Sequence, residues 1–137
     1  MFNTSGLILS CRKKYLVIIC NSNSEKWKDQ CNSKWNFPKG KFDPSIDSNY
    51  IDTAIREVKM KTGLNVEKEW IIDTFKTAKS VFYHVDPSKI PQNFYKNLNC
   101  EDESLDIFYK WVSIDEMKKI PEDEISTTLK YFLKNKN

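Results

Sequence analysis

The sequence predicts one α/β domain in which helices pack against a mixed sheet. Three observations carry that expectation. Between Gly6 and Cys20, aliphatic and β-branched runs are split by a charged triplet, whereas from Tyr50 the apolar residues recur at helical spacing. The chain has only three glycines, and two of them, Gly40 and Gly63, bracket that helical stretch, which marks them as backbone positions other residues tolerate badly. At 137 residues the chain is long enough for one hydrophobic core and too short for two.

The elements follow in order. Gly6 to Cys11 and Tyr15 to Cys20, separated by Arg12-Lys13-Lys14, read as a hairpin. Residues 21–34 are polar and rich in Asn and Ser, so they form a long loop. Pro38-Lys39-Gly40-Lys41 reads as a turn, and a second polar loop runs through Asn49. Ile51, Ala54, Ile55 and Val58 then define a helix from about Tyr50 to Thr62, capped by Asn49 and ended by Gly63, with Ile51, Ile55 and Val58 facing the sheet. Trp70 to Lys76 and Ser80 to Val85 read as strands, Gln92 to Leu98 as a short helix, and Asp106 to Val112 as a late strand. Ser113-Ile114-Asp115-Glu116 is a capping box, and Pro121 is expected to start a last helix with Glu122, Asp123 and Glu124 at its positive end.

Composition narrows the function classes. With 39% hydrophobic, 30% charged and 13% aromatic residues, the chain is richer in core-forming side chains than disordered segments are. No apolar run approaches the roughly 20 residues of a membrane span, and no signal peptide is recognisable, so no membrane association is expected. Cys11, Cys20, Cys31 and Cys100 show no CxxC pairing, and His84 is the only histidine, which disfavours both a zinc site and a hydrolytic triad. The thiols are read as reduced and the protein as cytoplasmic. Residues 1–41 hold eight Lys or Arg against Glu25 and Asp29, so the amino-terminal third suggests an anionic partner such as a nucleotide or RNA.

Trp35-Asn36-Phe37-Pro38-Lys39-Gly40-Lys41, Ala54-Ile55-Arg56-Glu57-Val58 and Thr62-Gly63-Leu64 together resemble the Nudix box. Phe-Pro-Lys-Gly-Lys and Ala-Ile-Arg-Glu-Val are most similar to the mRNA-decapping branch of that family. The resemblance implies a Nudix fold, an α/β/α sandwich around a mixed sheet, in one domain over residues 1–137 with the box at 40–64. It also implies water attack on a diphosphate, assisted by divalent metals held on carboxylates. In the family three glutamates stand at i, i+3 and i+4 on one helical face, where they share cations. Here those positions are Glu57, Met60 and Lys61.

Two of the three ligand positions thus lack a carboxylate. A thioether contributes little to a hard cation, and an ammonium repels one. Lys61 is i+4 from Glu57, so a helical ion pair replaces the metal in this reading, contributing about 0.3–0.5 kcal/mol if exposed. Gly40 and Arg56 are sixteen residues apart where the family has fourteen, and the family's loop glutamate has only Asp47 and Ser48 nearby. Glu57 is therefore the remnant of a catalytic face, with Arg56 as its support. Lys39, Lys41, Trp35 and Trp27 are candidate substrate contacts, the lysines for phosphate and the tryptophans for a base. No cofactor is expected; were a metal bound, Gly40, Glu57, Glu103 and Asp106 would supply it, and Mg²⁺ or Mn²⁺ would be the ion. The leading expectation is a non-hydrolytic protein binding a nucleotide, capped mRNA or an RNA–protein assembly. The alternatives are an active or weakly active Nudix pyrophosphohydrolase, decapping-like or acting on dinucleoside polyphosphates, and a protein-interaction scaffold.

Overall fold

The computed structural model describes residues 1–20, 34–97 and 107–136. Its strands are β1 (Thr4–Ile8), β2 (Ser10–Cys11), β3 (Lys14–Cys20), β4 (Lys39–Lys41), β5 (Ile71–Lys76), β6 (Ser80–Val85) and β7 (Ile107–Val112). The helices are α1 (Tyr50–Thr62), α2 (Gln92–Asn97), α3 (Ile114–Lys118) and α4 (Thr127–Lys134). One sheet has the order β4-β1-β6-β5 and a second the order β2-β3-β7. β1 runs parallel to β6 and antiparallel to β4, so the first sheet is mixed.

Leu7, Ile8 and Leu9 are all fully buried. Such a run, with no polar alternate, belongs to a strand covered on both faces. Leu7, Leu9, Leu16 and Ile18 join Ala54 and Val58 of α1 in one apolar cluster. Ile8, Val17, Phe37 and Phe82 join Met117, Leu129 and Phe132 in another, beneath α3 and α4. Alternate side chains of the same strands thus feed two cores, and the α/β/α sandwich follows from that alternation.

The expected hairpin forms between β2 and β3, where Arg12 and Lys13 both adopt positive φ, 53° and 64°, in a two-residue turn that matches strand twist. The first strand is divided, however. β1 pairs with β4 and β6, while Ser10 and Cys11 pair with β3 in the other sheet.

α1 has the expected bounds and caps. Asn49 Oδ1 accepts from the Asp52 amide at 2.8 Å, and Gly63, at φ 83°, donates its N–H to the Lys59 carbonyl at 2.9 Å. Its inner face differs from the expected one: Thr53, Ala54, Glu57, Val58 and Lys61 are buried, whereas Ile51 and Ile55 are only partly covered. Apolar spacing misplaces this face because three of its five residues, Thr53, Glu57 and Lys61, are polar yet buried. The last helix also starts later than Pro121. Trp35 donates to the Glu124 carbonyl at 2.9 Å and accepts from the Ser126 amide at 3.0 Å, which holds Ile125 in a β-bridge beside Trp35. Ser126 then caps α4, its Oγ accepting from the Leu129 amide at 3.1 Å, so Glu122–Glu124 stand outside the helix.

Candidate functional site

The loop before α1 is tied to the helix by an acid and a guanidinium. Asp47 accepts from Arg56 Nε at 2.9 Å and from an Arg56 terminal nitrogen at 2.8 Å, a two-pronged pair that fixes the Arg56 plane. Thr53 Oγ1 donates to the same carboxylate at 2.9 Å, and the Asp43 amide donates to it at 3.2 Å. The Arg56 hydrogen bonds hold the Asp47 carboxyl down to about 2 even though burial opposes them. Arg56 also reaches the Lys41 carbonyl at 3.4 Å and Glu57 Oε1 at 3.5 Å. Sequence spacing left this loop acid unassigned, since Asp47 stands nine residues before Arg56 and the two-residue longer loop obscures its register.

Glu57 is 2% exposed and lies against the backbone of β4. A Cβ at Gly40 would stand 2.0 Å from Glu57 Cδ, so the glycine is what lets helix and strand approach here. Lys61, one turn on, is also 2% exposed. Its Nζ donates to the Lys39 carbonyl and stands 3.8 Å from Glu57 Oε2. Tyr109, on β7, donates its hydroxyl to the Lys61 carbonyl and secures the end of the helix. Glu57 Oε2 has no hydrogen-bond partner among the described residues, so the ammonium is the charge facing it. Burial pushes the Lys61 ammonium down to about 8, with the Glu57 charge working against that and Lys39 and Arg56 adding to it.

The expected exposed Lys61–Glu57 pair is therefore corrected. The pair is interior, and the ammonium lies between a strand carbonyl and a carboxylate. Met60 points the other way and is 50% exposed. Among the described residues, no group of three or more His, Cys, Asp or Glu side chains converges as a metal set.

Strand alternation divides the remaining candidates. Gly40 faces α1, so Lys39 and Lys41, on either side of it, direct their side chains to the opposite face. Lys41 is exposed and Lys39 half-buried, and burial lowers the Lys39 pKa. Lys39 lines a cleft of about 720 Å³ with Lys76, Lys79 and Ser80 around the β5–β6 turn, Ser126 at the N-cap of α4 and Tyr131 within that helix. No residue of α1 lines it. Trp35 packs on the α3/α4 side of the core with Lys110 Nζ 5.9 Å from its ring centre, and it is not part of that cleft. Trp27, Glu103 and Asp106 lie outside the described residues. The cleft lysines Lys76 and Lys79 were not singled out by the sequence, because only the turn between β5 and β6 brings them opposite Lys39.

The NUDIX domain model matches residues 2–134. Among solved structures, a MutT protein from Methanosarcina mazei Go1 is 18% identical, with a TM-score of 0.63 over 96% of this chain and 89% of that one. A MutT NUDIX hydrolase from Burkholderia pseudomallei is 14% identical, with a TM-score of 0.62 over 98% and 96% of the two chains. The NUDIX domain of Shewanella oneidensis NrtR, in a complex with ADP ribose, is 15% identical, with a TM-score of 0.60 over 98% and 84%. No curated protein matches the sequence. A box-like segment wrapped around Gly40, Arg56 and Glu57, a mixed sheet between helices and a family match along nearly the whole chain agree with one another: this chain belongs to the Nudix domain family.

Proposed function

We propose that this Nudix domain binds a phosphate-bearing ligand, a nucleotide or an RNA end, without hydrolysing it. The carrying observation is the Lys61 ammonium, which donates to the Lys39 carbonyl and faces Glu57 Oε2 from 3.8 Å. A metal-dependent hydrolase needs a divalent cation against its carboxylate face. Among the described residues the box helix offers one carboxylate there, with an ammonium beside it and a thioether turned to solvent, a donor set that does not fit Mg²⁺ or Mn²⁺. In this reading Glu57 and Arg56 have become framework: Arg56 ties the loop through Asp47, and Glu57 balances Lys61. Met60 and Lys61 are the replaced ligand positions.

Ligand recognition falls to the opposite face of β4, where Lys39 and Lys41 project. Their charge-only contact to phosphate survives loss of a metal. A relative of the same fold, the NrtR domain, was crystallised with ADP ribose, which makes nucleotides the first ligands to test. The similarity of Phe37-Pro38-Lys39-Gly40-Lys41 to the decapping branch adds capped RNA to the panel. The experiment is product analysis after incubating the natural protein, with Mn²⁺ and with Mg²⁺, with nucleoside triphosphates, dinucleoside polyphosphates and capped RNA. The reading expects no turnover. Turnover that Glu57→Gln abolishes would replace it with a living hydrolase.

A further inference from the structure

The end of the sheet opposite the Lys39 cleft carries cations of its own. Ser80, at the cleft, pairs with Thr4, whereas His84 pairs with Ile8 at the far end of β1 and β6. There the β2–β3 turn, the 3₁₀ turn Pro87–Lys89 and α2 come together. Arg12, Lys13, Lys89 and Lys96 are exposed on them. Among the described residues none of the four makes an ion pair, whereas the neighbouring Lys14 has Glu116. Asp86, three residues before Lys89, accepts from the Ser88 amide at 3.0 Å and from the Ser88 hydroxyl at 2.8 Å. Four unpaired cations beside one such carboxylate make a surface that favours a polyanion.

The turn holds two of these cations against its own backbone preference. Arg12 and Lys13 adopt φ of 53° and 64°, and a two-residue hairpin turn of this kind ordinarily uses Asn-Gly. Unfavoured backbone of this sort gathers at functional positions. The Arg12 guanidinium stands over the Tyr95 ring, 5.4 Å from its centre. Tyr95 and Phe94 both pack on Trp111, at 4.9 and 6.1 Å between ring centres, which seats α2 on the core. Phe94 also lines a pocket of about 410 Å³ with Trp70, Pro91 and the amide side chains Asn65 and Asn93, and none of its described lining residues is charged. Aromatic rings and amides in a neutral pocket suit an unstacked base, and the cations beside it suit the phosphates that flank such a base. A membrane is the poorer match, because the exposed large hydrophobics Met1, Ile46, Met60, Ile72 and Tyr131 all belong to other elements.

We infer that the β2–β3 turn and α2 form a site for single-stranded RNA, at the far end of the sheet from the Lys39 cleft, with Arg12, Lys13, Lys89 and Lys96 on its phosphates and one base in the pocket that Trp70 and Phe94 line. The site holds the body of a strand rather than its end, so it goes beyond the function proposed above and does not depend on it. Duplex RNA binds more weakly, because its bases are paired and stacked and none can enter the pocket.

The experiment is fluorescence anisotropy of the natural protein with labelled 5′-hydroxyl oligomers of A, of C and of U, which offer the Lys39 cleft neither a cap nor a terminal phosphate, alongside the A–U duplex and phosphatidylserine vesicles. The single strands bind with unequal affinities, all weakened by salt, and the best binds roughly tenfold or more tightly than the duplex. Arg12→Asn with Lys13→Gly, which supplies the residues such a turn prefers, weakens binding by roughly tenfold without lowering the unfolding midpoint. Lys89→Ala with Lys96→Ala, both at exposed positions, weakens it as well and flattens the slope of log affinity against log salt by about 1.4. Asn65→Ala with Asn93→Ala evens out the affinities for the three strands, and Lys76→Ala with Lys79→Ala, at the other end of the sheet, leaves binding unchanged. The inference is overturned by no single-strand binding at low salt, by equal affinity for the duplex, by vesicles bound in place of RNA, or by base preference indifferent to the asparagines. It is equally overturned if the Lys76 and Lys79 variant loses binding, or if the Arg12 and Lys13 variant binds as before or unfolds earlier. The non-hydrolytic reading has its separate test, because it falls to turnover and not to loss of oligomer binding.

Discussion

Lys61 and Glu57 form a pair whose members cannot be removed singly without cost. Both are 2% exposed, so replacing the lysine leaves a buried carboxylate that, among the described residues, is held only by the 3.5 Å contact from Arg56. Lys61→Met is expected to lower unfolding free energy by about 3 kcal/mol, while Lys61→Met combined with Glu57→Gln recovers most of that loss, because well-packed neutral groups replace buried ion pairs at little expense. Urea unfolding of the two single variants and the double variant measures the coupling. Additive losses would show that the two side chains act independently. Asp47 sets the acid limit at the same scale. Its folded pKa, about 2, lies below the ordinary 3.8. The unfolded chain therefore binds the proton first, so the contribution is complete above about pH 4 and is lost as pH falls through about 2. Asp47→Asn should be less stable at neutral pH and should lack that part of the acid transition, as unfolding midpoints across this range will show.

At the scale of elements, the glycines separate two kinds of necessity. Gly40→Ala puts a methyl group 2.0 Å from the Glu57 carboxyl carbon, and overpacking of this sort costs about 1–3 kcal/mol. Gly40→Ala with Glu57→Ala and Lys61→Met is expected to regain stability, because the obstructing side chain and its buried charged partner leave together. Gly63→Ala meets nothing within 4 Å, so its cost of about 1 kcal/mol comes from the left-handed backbone alone and no partner substitution rescues it. Thermal unfolding of the three variants distinguishes clash from backbone strain. What the sequence made legible follows the same division. The caps of α1, the strand Ser80–Val85 and the Ser113–Glu116 capping box were readable because each rests on local chemistry. The inward face of α1 was not, since Thr53, Glu57 and Lys61 are buried by what lies across the helix. The start of α4 was misplaced because Pro121 is a local signal and the Trp35 contacts that hold Ile125 in a β-bridge are distant in sequence. The candidate site was legible in Arg56 and Glu57, whereas Asp47, Lys76 and Lys79 depend on loop length and sheet order.

For the whole molecule, β4 is a partition. On its α1 side the charges close on one another, Arg56 with Asp47 and Lys61 with Glu57. On its other side Lys39 opens into a cleft with no acid among its described lining residues. The net charge of +3 is thus less informative than its placement, with neutralised pairs inside and uncompensated lysines facing solvent. Under the proposed function, this arrangement keeps phosphate recognition while Lys61, a group the chain carries itself, takes the place of the cation that would promote cleavage. The most direct test is titration of Mn²⁺ into three proteins: the natural chain, Met60→Glu with Lys61→Glu, and Glu57→Gln. If Lys61 replaces the cation, the natural chain shows no stoichiometric Mn²⁺ uptake and the double variant, with three glutamates on one helical face, gains it and recovers stability when the ion binds. Stoichiometric Mn²⁺ binding by the natural chain, lost in Glu57→Gln, would contradict the account.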